Sequence, residues 1–387
     1  MNTAEKLKGI APSLLVSCGV VGALALAAFQ LWVLSGILVA IMTLVISAEF
    51  LLSIPNLKTP LKIKTPDGHD QPLHPSVRFF EDGWRGYRYW MAFTPYPTNA
   101  EPYRDRWESP CVVASQDGLN WQYPCGMAYL DDLTPQQINL KNYFSDTHLY
   151  YDEKKDSLVC CYRYVPGTSD HPCPVLFSKT TSDGVNWSTR TELHCCDEIC
   201  ELSPLSPAIV RERDGFRMWF VPFEKDPEQV YLASSADGVQ WELQDRCVLE
   251  GNSEVKPWHI DCQLIDGTYY MVVYDLKQTI SLWKSNDAVR FVYIKELLSV
   301  PQKNKAGCFY SNTLYRASLC KNECGYRLYF SSNDSRRFAV GVMEGENLNT
   351  MRIISAGNSY RIKDVLFDIG RKYTLIFRSV ARFLRQE

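Results

Sequence analysis

The sequence predicts an all-β five-bladed β-propeller, preceded by an N-terminal transmembrane helical hairpin and followed by a C-terminal amphipathic helix. Three observations carry this reading. A seven-residue phrase recurs five times, about every 50 residues, which is the signature of stacked or radial repeats. The segments between copies read as short strands rich in β-branched and aromatic residues. The N-terminus opens with 40 positions, Gly9 to Ala48, that carry no charge.

The first element is that uncharged run. As helix it would extend roughly 60 Å, about twice the hydrocarbon thickness of a bilayer. Two short spans use that length, about Ile10–Ala28 and Leu31–Ile54, with a turn near Phe29–Gln30 and a stop at Pro55. A single long tilted span is the alternative, and the run is too long for a signal peptide. Lys6 and Lys8 precede it, and Lys58, Lys62 and Lys64 follow it. A hairpin with basic flanks on both sides puts both ends in the cytoplasm, so the chain is expected to be a multi-pass membrane protein with a cytoplasmic soluble domain. Residues 1–55 are then the hairpin and 56–73 a Pro- and Lys-containing linker.

The propeller is expected over residues 74–345. Its phrase reads Ser115-Gln116-Asp117-Gly118-Leu119-Asn120-Trp121, then Thr181-Ser182-Asp183-Gly184-Val185-Asn186-Trp187, then Ser235-Ala236-Asp237-Gly238-Val239-Gln240-Trp241. Two degraded copies follow, Ser285 to Phe291 and Ser332 to Phe338. The Asp accepts from backbone N–H groups just ahead of it, the Gly takes a positive φ, and the aromatic opens the return strand. The phrase is therefore structural. Each unit reads as strand, turn, strand, strand, phrase, strand, which is a propeller blade. The last element, residues 346–387, carries apolar residues at helical spacing from Ile362 to Leu384. Its tail from Arg361 onward has seven basic residues against three acidic. Such a helix suits an anionic lipid surface or a seat against the side of the propeller.

The repeated phrase after a Tyr-rich strand resembles the five-bladed propellers of glycoside hydrolase families 43 and 32 over about residues 74–340. The resemblance implies carboxylates at the starts of the innermost strands, converging on a central funnel, where an acid and a second carboxylate cleave a glycosidic bond. Asp146 resembles the second-blade Asp. His74 stands where the first blade usually has an Asp, and the third-blade Glu before a Pro has no clean equivalent, Glu201 being the nearest carboxylate. Asp261 comes from the fourth blade. The resemblance thus implies Asp146, Asp261, Glu201 and His74 as catalytic candidates, with Asp146 and Asp261 as an acid and base pair. His148, His259 and Trp258, also near strand starts, and Arg104, Arg106, Trp107 and Glu108 in the first blade are candidates for substrate binding.

Composition narrows the partners. A formal charge of −3 and a pI near 6.1 give no reason to expect nucleic acid. The 14 cysteines include adjacent pairs, Cys160-Cys161 and Cys195-Cys196, which suit free thiols in a reducing compartment. Neither His194 to Cys200 nor Cys320 to Cys324 has the paired C-x-x-C spacing of a zinc site, and no Gly-rich phosphate loop is present; no metal or other cofactor is expected. The expected partners are a saccharide and the lipid bilayer. The expected activity is hydrolysis of a cell-envelope saccharide or its precursor. The alternative is a non-catalytic glycan-binding or scaffolding propeller.

Overall fold

The computed structural model describes residues 18–23, 32–54, 57–97, 108–124, 126–167, 174–223, 226–303 and 305–356, with further positions between 365 and 378. The chain divides into two compact units, one of Met1–Lys58, Pro301–Cys308 and Ser359–Glu387, the other of Thr59–Val300 and Phe309–Asn358.

The larger unit is all-β. Its first blade holds β1 (Pro72–Trp84), β2 (Tyr87–Pro95) and β3 (Cys111–Ser115), with a one-residue bridge from Ala114 to Gln122 where a fourth strand would stand. The second holds β4 (Tyr143–Asp152), β5 (Ser157–Val165), β6 (Val175–Thr181) and β7 (Thr191–Cys195), and the third β8 (Pro204–Glu212), β9 (Gly215–Pro222), β10 (Tyr231–Ser235) and β11 (Gln240–Arg246). The outer strand of the third blade continues past Cys247 as β12 (Val248–Glu250), which pairs parallel with the outer strand of the fourth; the fourth holds β13 (Pro257–Ile265), β14 (Thr268–Asp275), β15 (Thr279–Ser285) and β16 (Arg290–Ser299). The fifth holds β17 (Thr313–Asn322), β18 (Gly325–Asn333), β19 (Phe338–Gly345) and β20 (Arg352–Ile354). Within each blade successive strands pair antiparallel. At the rim β7 pairs parallel with β11, which joins blades two and three into one eight-stranded sheet.

The first strands of the blades close a ring, with contacts running β1 to β4 to β8 to β13 to β17 and back to β1. No ladder joins neighbouring blades along this ring, so their inner N–H groups need other acceptors. Serine hydroxyls supply them. Ser318 Oγ accepts from Val77 N at 3.0 Å, Ser76 Oγ from Leu149 N at 2.9 Å, and Ser206 Oγ from Ile260 N at 3.1 Å. The apolar core lies between consecutive blades, one cluster centred on Trp90 and Tyr162, the next on Met218 and Trp241, the next on Trp219 and Trp283.

The repeated phrase does form the turn from third to fourth strand in the first four blades. Asp117 Oδ1 accepts from Leu119 N and Asn120 N at 2.8 and 2.7 Å, and Asp183 and Asp237 repeat the pattern. Asp287 does so too, with Ala288 at φ 71 in the place of the Gly. The fifth copy differs from expectation. Ser332 to Phe338 spans the turn between β18 and β19, the second and third strands of its blade. Asp334 still accepts from the N–H groups ahead of it; local turn chemistry is the same wherever a tight turn is needed, which is why the sequence pattern misplaced it.

The expected linker also differs. Leu61 and Ile63 are buried against Val77 and Val340, and Leu61 N donates to Val340 O at 2.8 Å. Residues 59–65 therefore belong to the propeller, sealing the first blade against the fifth.

The smaller unit contains α1 (Trp32–Ser53). Ile46 and Phe50 pack with Leu57, Ala306, Val365 and Ile369, and Lys372 pairs with Glu49 at 2.7 Å. The described part of the C-terminal helix is thus seated on α1 through its apolar face. Among the described residues no helix is long and apolar enough to cross a membrane; the side chains of α1 are described only from Val39 to Leu52, and the expected first span falls largely outside the described residues.

Candidate functional site

Every inner strand carries a register break at the same place. Against its partner, β1 gains a residue between Leu73 and Ser76, β4 between Ser145 and His148, β8 between Leu205 and Ala208, β13 between Pro257 and His259, and β17 between Leu314 and Ala317. A bulge re-aims the side chains beside it. Here five bulges sit around one end of the axis. His74, Asp146 and Ser206 occupy the equivalent position with φ of 53, 51 and 56, a backbone conformation that costs a non-Gly residue free energy. The next two blades contribute Trp258-His259 and Tyr315-Arg316 at the same level.

These residues form a buried cluster. His74 Nε2 is 3.7 Å and His259 Nδ1 is 3.5 Å from Asp146 Oδ1. Arg163 donates to Asp146 Oδ2 at 2.7 Å, Ser206 N donates to the same oxygen at 3.3 Å, and Arg316 lies 4.0 Å from Oδ1. Burial pushes the His74 imidazole down to about 4, against the pull of Asp146, and drives His259 well below its ordinary value. Burial alone would raise the Asp146 carboxyl, but the bases around it, His259 first and then Arg163, His74 and Arg316, hold it well below the usual carboxylate range. At neutral pH both imidazoles are uncharged, so the two guanidiniums keep Asp146 ionised.

Glu108, from the segment leading into β3, reaches the same cluster, 3.9 Å from His74 Nδ1. Burial raises its carboxyl to about 8, against a hydrogen bond with Ser145. A carboxyl raised to about 8 holds its proton at neutral pH; the substrate-binding role that the resemblance implies for Glu108 remains an expectation. The Tyr315 ring packs 4.3 Å from the His259 ring, and Trp258 lies between His259 and the exposed Phe223.

The other expected residues divide. Asp261 and His148 lie further along the axis, paired at 3.3 Å, with His148 Nε2 3.3 Å from Arg78. Burial would raise Asp261, but His148, Arg316 and Arg78 hold it low. The acid and base pair of Asp146 and Asp261 remains an expectation; in both, nearby cationic groups pull the carboxyl down against burial. His74, with its imidazole lowered to about 4, is an uncharged base at neutral pH, so a proton-transfer role for it remains an expectation. Glu201 is exposed on the short helix Asp197–Leu202 and does not join the cluster. Arg104, Arg106 and Trp107 lie outside the described residues. Arg163 and Arg316 were missed. Arg316 was within reach of the sequence, because Tyr315-Arg316 opens the fifth unit where His74-Pro75 opens the first.

The cysteine spacings give no reason to expect a metal. Yet one donor atom from each of His74, Asp146 and His259 lies within 4.8 Å of the other two. His74 Nε2, Asp146 Oδ1 and both nitrogens of His259 are buried with no hydrogen-bond partner. Buried polar atoms are seldom left so. Two neutral imidazoles and one carboxylate converging on a point are a donor set for a divalent transition metal.

No protein-family model matches the chain. It is 27% identical over 235 residues to an A type blood N-acetyl-α-D-galactosamine deacetylase from Flavonifractor plautii, covering 51% of this chain and 30% of that protein. The chain thus spans about a third of the length of this curated relative. The crystal structure of an N-acetylgalactosamine deacetylase from F. plautii in complex with blood group B trisaccharide superposes with a TM-score of 0.60 at 19% identity. That match covers 74% of this chain and 94% of that one. A GH43_1 enzyme from Xanthomonas citri complexed with xylotriose gives 0.52 at 10% identity, over 81% and 98% of the two chains. The fold is that of the glycoside hydrolase-like β-propellers. The protein similar to it in sequence is by name a deacetylase; the likeness to the X. citri enzyme is one of fold.

Proposed function

We propose that this chain is a membrane-anchored hydrolase that removes the acetyl group from an N-acetylated sugar of the cell envelope or its precursor. The observation that carries the reading is the convergence of unpartnered donors from His74, Asp146 and His259. These three residues would hold a divalent cation. When bound, such a cation polarises an amide carbonyl and lowers the pKa of a water. Arg163 and Arg316 keep Asp146 ionised for that task, and Tyr315 fixes the plane of the His259 ring. Glu108 carries a proton at neutral pH and can release it to the departing amine. Trp258 and Phe223 offer aromatic surface at the same end of the propeller, suited to the apolar face of a sugar. Likeness to the deacetylase from F. plautii supports the choice of an N-acetyl group.

A second reading, glycosidic cleavage, draws on one observation: a protonated Glu108 and an ionised Asp146 both flank His74, as an acid and a second carboxylate would. Membrane anchoring is supported by the 40 uncharged residues and by the exposed Val39, Ile41, Leu44, Leu51 and Leu52 of α1. The test separates the two reactions by product. The full chain in detergent, loaded in turn with zinc, manganese or cobalt, is incubated with N-acetylhexosamine glycans while acetate and new reducing ends are both measured. Acetate release abolished by His259→Ala and by chelation is expected. Reducing ends without acetate would replace deacetylation by glycosidic cleavage, and neither product would leave a glycan-binding propeller.

A further inference from the structure

The inner strands have a second end. Where β1, β4, β8, β13 and β17 finish, on the face opposite the five bulges, they splay around a cavity of about 950 Å³. All five blades line it, and none of its residues belongs to the His74, Asp146 and His259 cluster. From His74 to Arg78 is four residues of strand, roughly 13 Å, so the two ends are separate places joined by a polar plug of Ser76, His148 and Asp261.

What the cavity offers follows from which groups are already engaged. Its cations are largely spent: Arg211 pairs with Asp152 at 3.4 Å and Lys321 pairs with Asp266. The carboxylates of Glu81 and Glu153 are exposed at the rim and make no ion pair among the described residues. At the floor, Arg78 Nε is buried without a hydrogen-bond partner. Phe80 and Tyr151 stand half-buried in the wall, their rings 5.1 Å apart and edge to face. The unspent groups are thus two acceptors, one strong donor and partly exposed aromatic surface. An anion would meet the two rim carboxylates, and a cation would meet Arg78 at the floor. A neutral, hydroxyl-rich ligand satisfies all of them: its hydroxyls donate to carboxylates, accept from a guanidinium, and its C–H face covers a ring. The volume is that of an oligosaccharide-sized site.

We propose that this cavity is a second, non-catalytic saccharide site for a neutral oligosaccharide, on the propeller face opposite the metal-ligand cluster. It stands independently of the hydrolytic reading, because it uses none of those residues.

The test uses the full chain in detergent with chitotriose, lactose and maltotriose as probes, followed by calorimetry and by saturation-transfer NMR. Two variants address the site: Glu81→Ala with Glu153→Ala, which removes both acceptors, and Leu264→Trp, which fills the cavity from an exposed wall position. At least one probe is expected to bind, with a tenfold or greater loss of affinity in both variants, while His259→Ala retains that binding. Unchanged melting temperature in each variant guards against misfolding. Binding of no probe, binding unaffected by Leu264→Trp, or binding lost in His259→Ala would each overturn the proposal.

Discussion

The turn glycine of the second blade offers a sharp test of how the repeats hold together. Gly184 has φ 76, and a Cβ built there would sit 2.3 Å from Trp90 Cη2 and 2.9 Å from Cζ2. Ordinary carbon contacts lie at about 3.5–4.0 Å, so the overlap exceeds an ångström. Trp90 belongs to the first blade, is 1% exposed, and is fixed by Trp84 and Tyr87 at 5.2 and 5.6 Å and by its Nε1 donating to Trp84 O. It has nowhere to go. Gly184→Ala therefore combines left-handed backbone strain of about 1–2 kcal/mol with overpacking of about 1–3 kcal/mol. Gly86 is the control: its φ is 83, but nothing lies within 4 Å of its Cβ position, so Gly86→Ala carries the strain alone. Urea unfolding followed by tryptophan fluorescence should place Gly184→Ala about 1–3 kcal/mol below Gly86→Ala. Equal losses would mean that the turn glycine serves φ only and that blades one and two do not lock through it.

Two further outcomes are expected. Glu108, with its carboxyl raised from 4.5 to about 8, binds its proton more tightly in the folded chain than in the unfolded one. Its contribution to stability is complete below about pH 4.5 and is lost as pH rises through about 8; in EDTA, Glu108→Gln should flatten the decline in melting temperature across that window, and an unchanged slope would refute the raised value. Reporter fusions at residue 65 and after Glu387 should both report cytoplasm, and an external signal from either would reject the helical hairpin.

Much of the propeller was legible because turn chemistry is local. An Asp followed by Gly and an aromatic declares a tight turn wherever it stands, and Tyr, Val and Ile at alternating spacing declare the strands between. The same locality misplaced the fifth copy, since Asp334 makes the turn its neighbours dictate without saying which strands it joins. The site was half legible. His74, Asp146 and His259 could be picked out as unusual residue types at strand starts. That they converge depends on five bulges, and a bulge leaves no trace in a two-residue period. The charges around them were not legible for a related reason. Burial of two carboxyls suggested that one would be raised, but the compensating guanidiniums come from Arg163 on β5 and Arg316 on β17, far apart in sequence. Residues 59–65 read as a linker because Pro60, Lys62 and Lys64 fall among them, yet Leu61 and Ile63 alternate with the lysines and turn inward.

The parallel pairing of β7 with β11 bears on how the ring comes apart. Elsewhere the blades are held side by side by apolar contacts and by the serine hydroxyls of the inner strands, except that β12, continuing β11 past Cys247, pairs parallel with β16 of the fourth blade. Blades two and three share a rim through His194 N to Val239 O at 2.8 Å and Cys196 N to Trp241 O at 3.0 Å, and blades three and four through Val248 N to Val289 O at 2.9 Å. Amide exchange should therefore show blades two to four protected as one cooperative block, and the three-stranded first blade, which shares no rim ladder with its neighbours among the described residues, as the place where the circle first unlatches. Asp146 and Arg163 lie inside the block, whereas His74 and Glu108 lie in or just before strands of the blade that opens. The metal-ligand cluster thus straddles a boundary between slowly and rapidly exchanging parts of the chain, and a ligand held by His74 and Asp146 together would clasp that boundary shut.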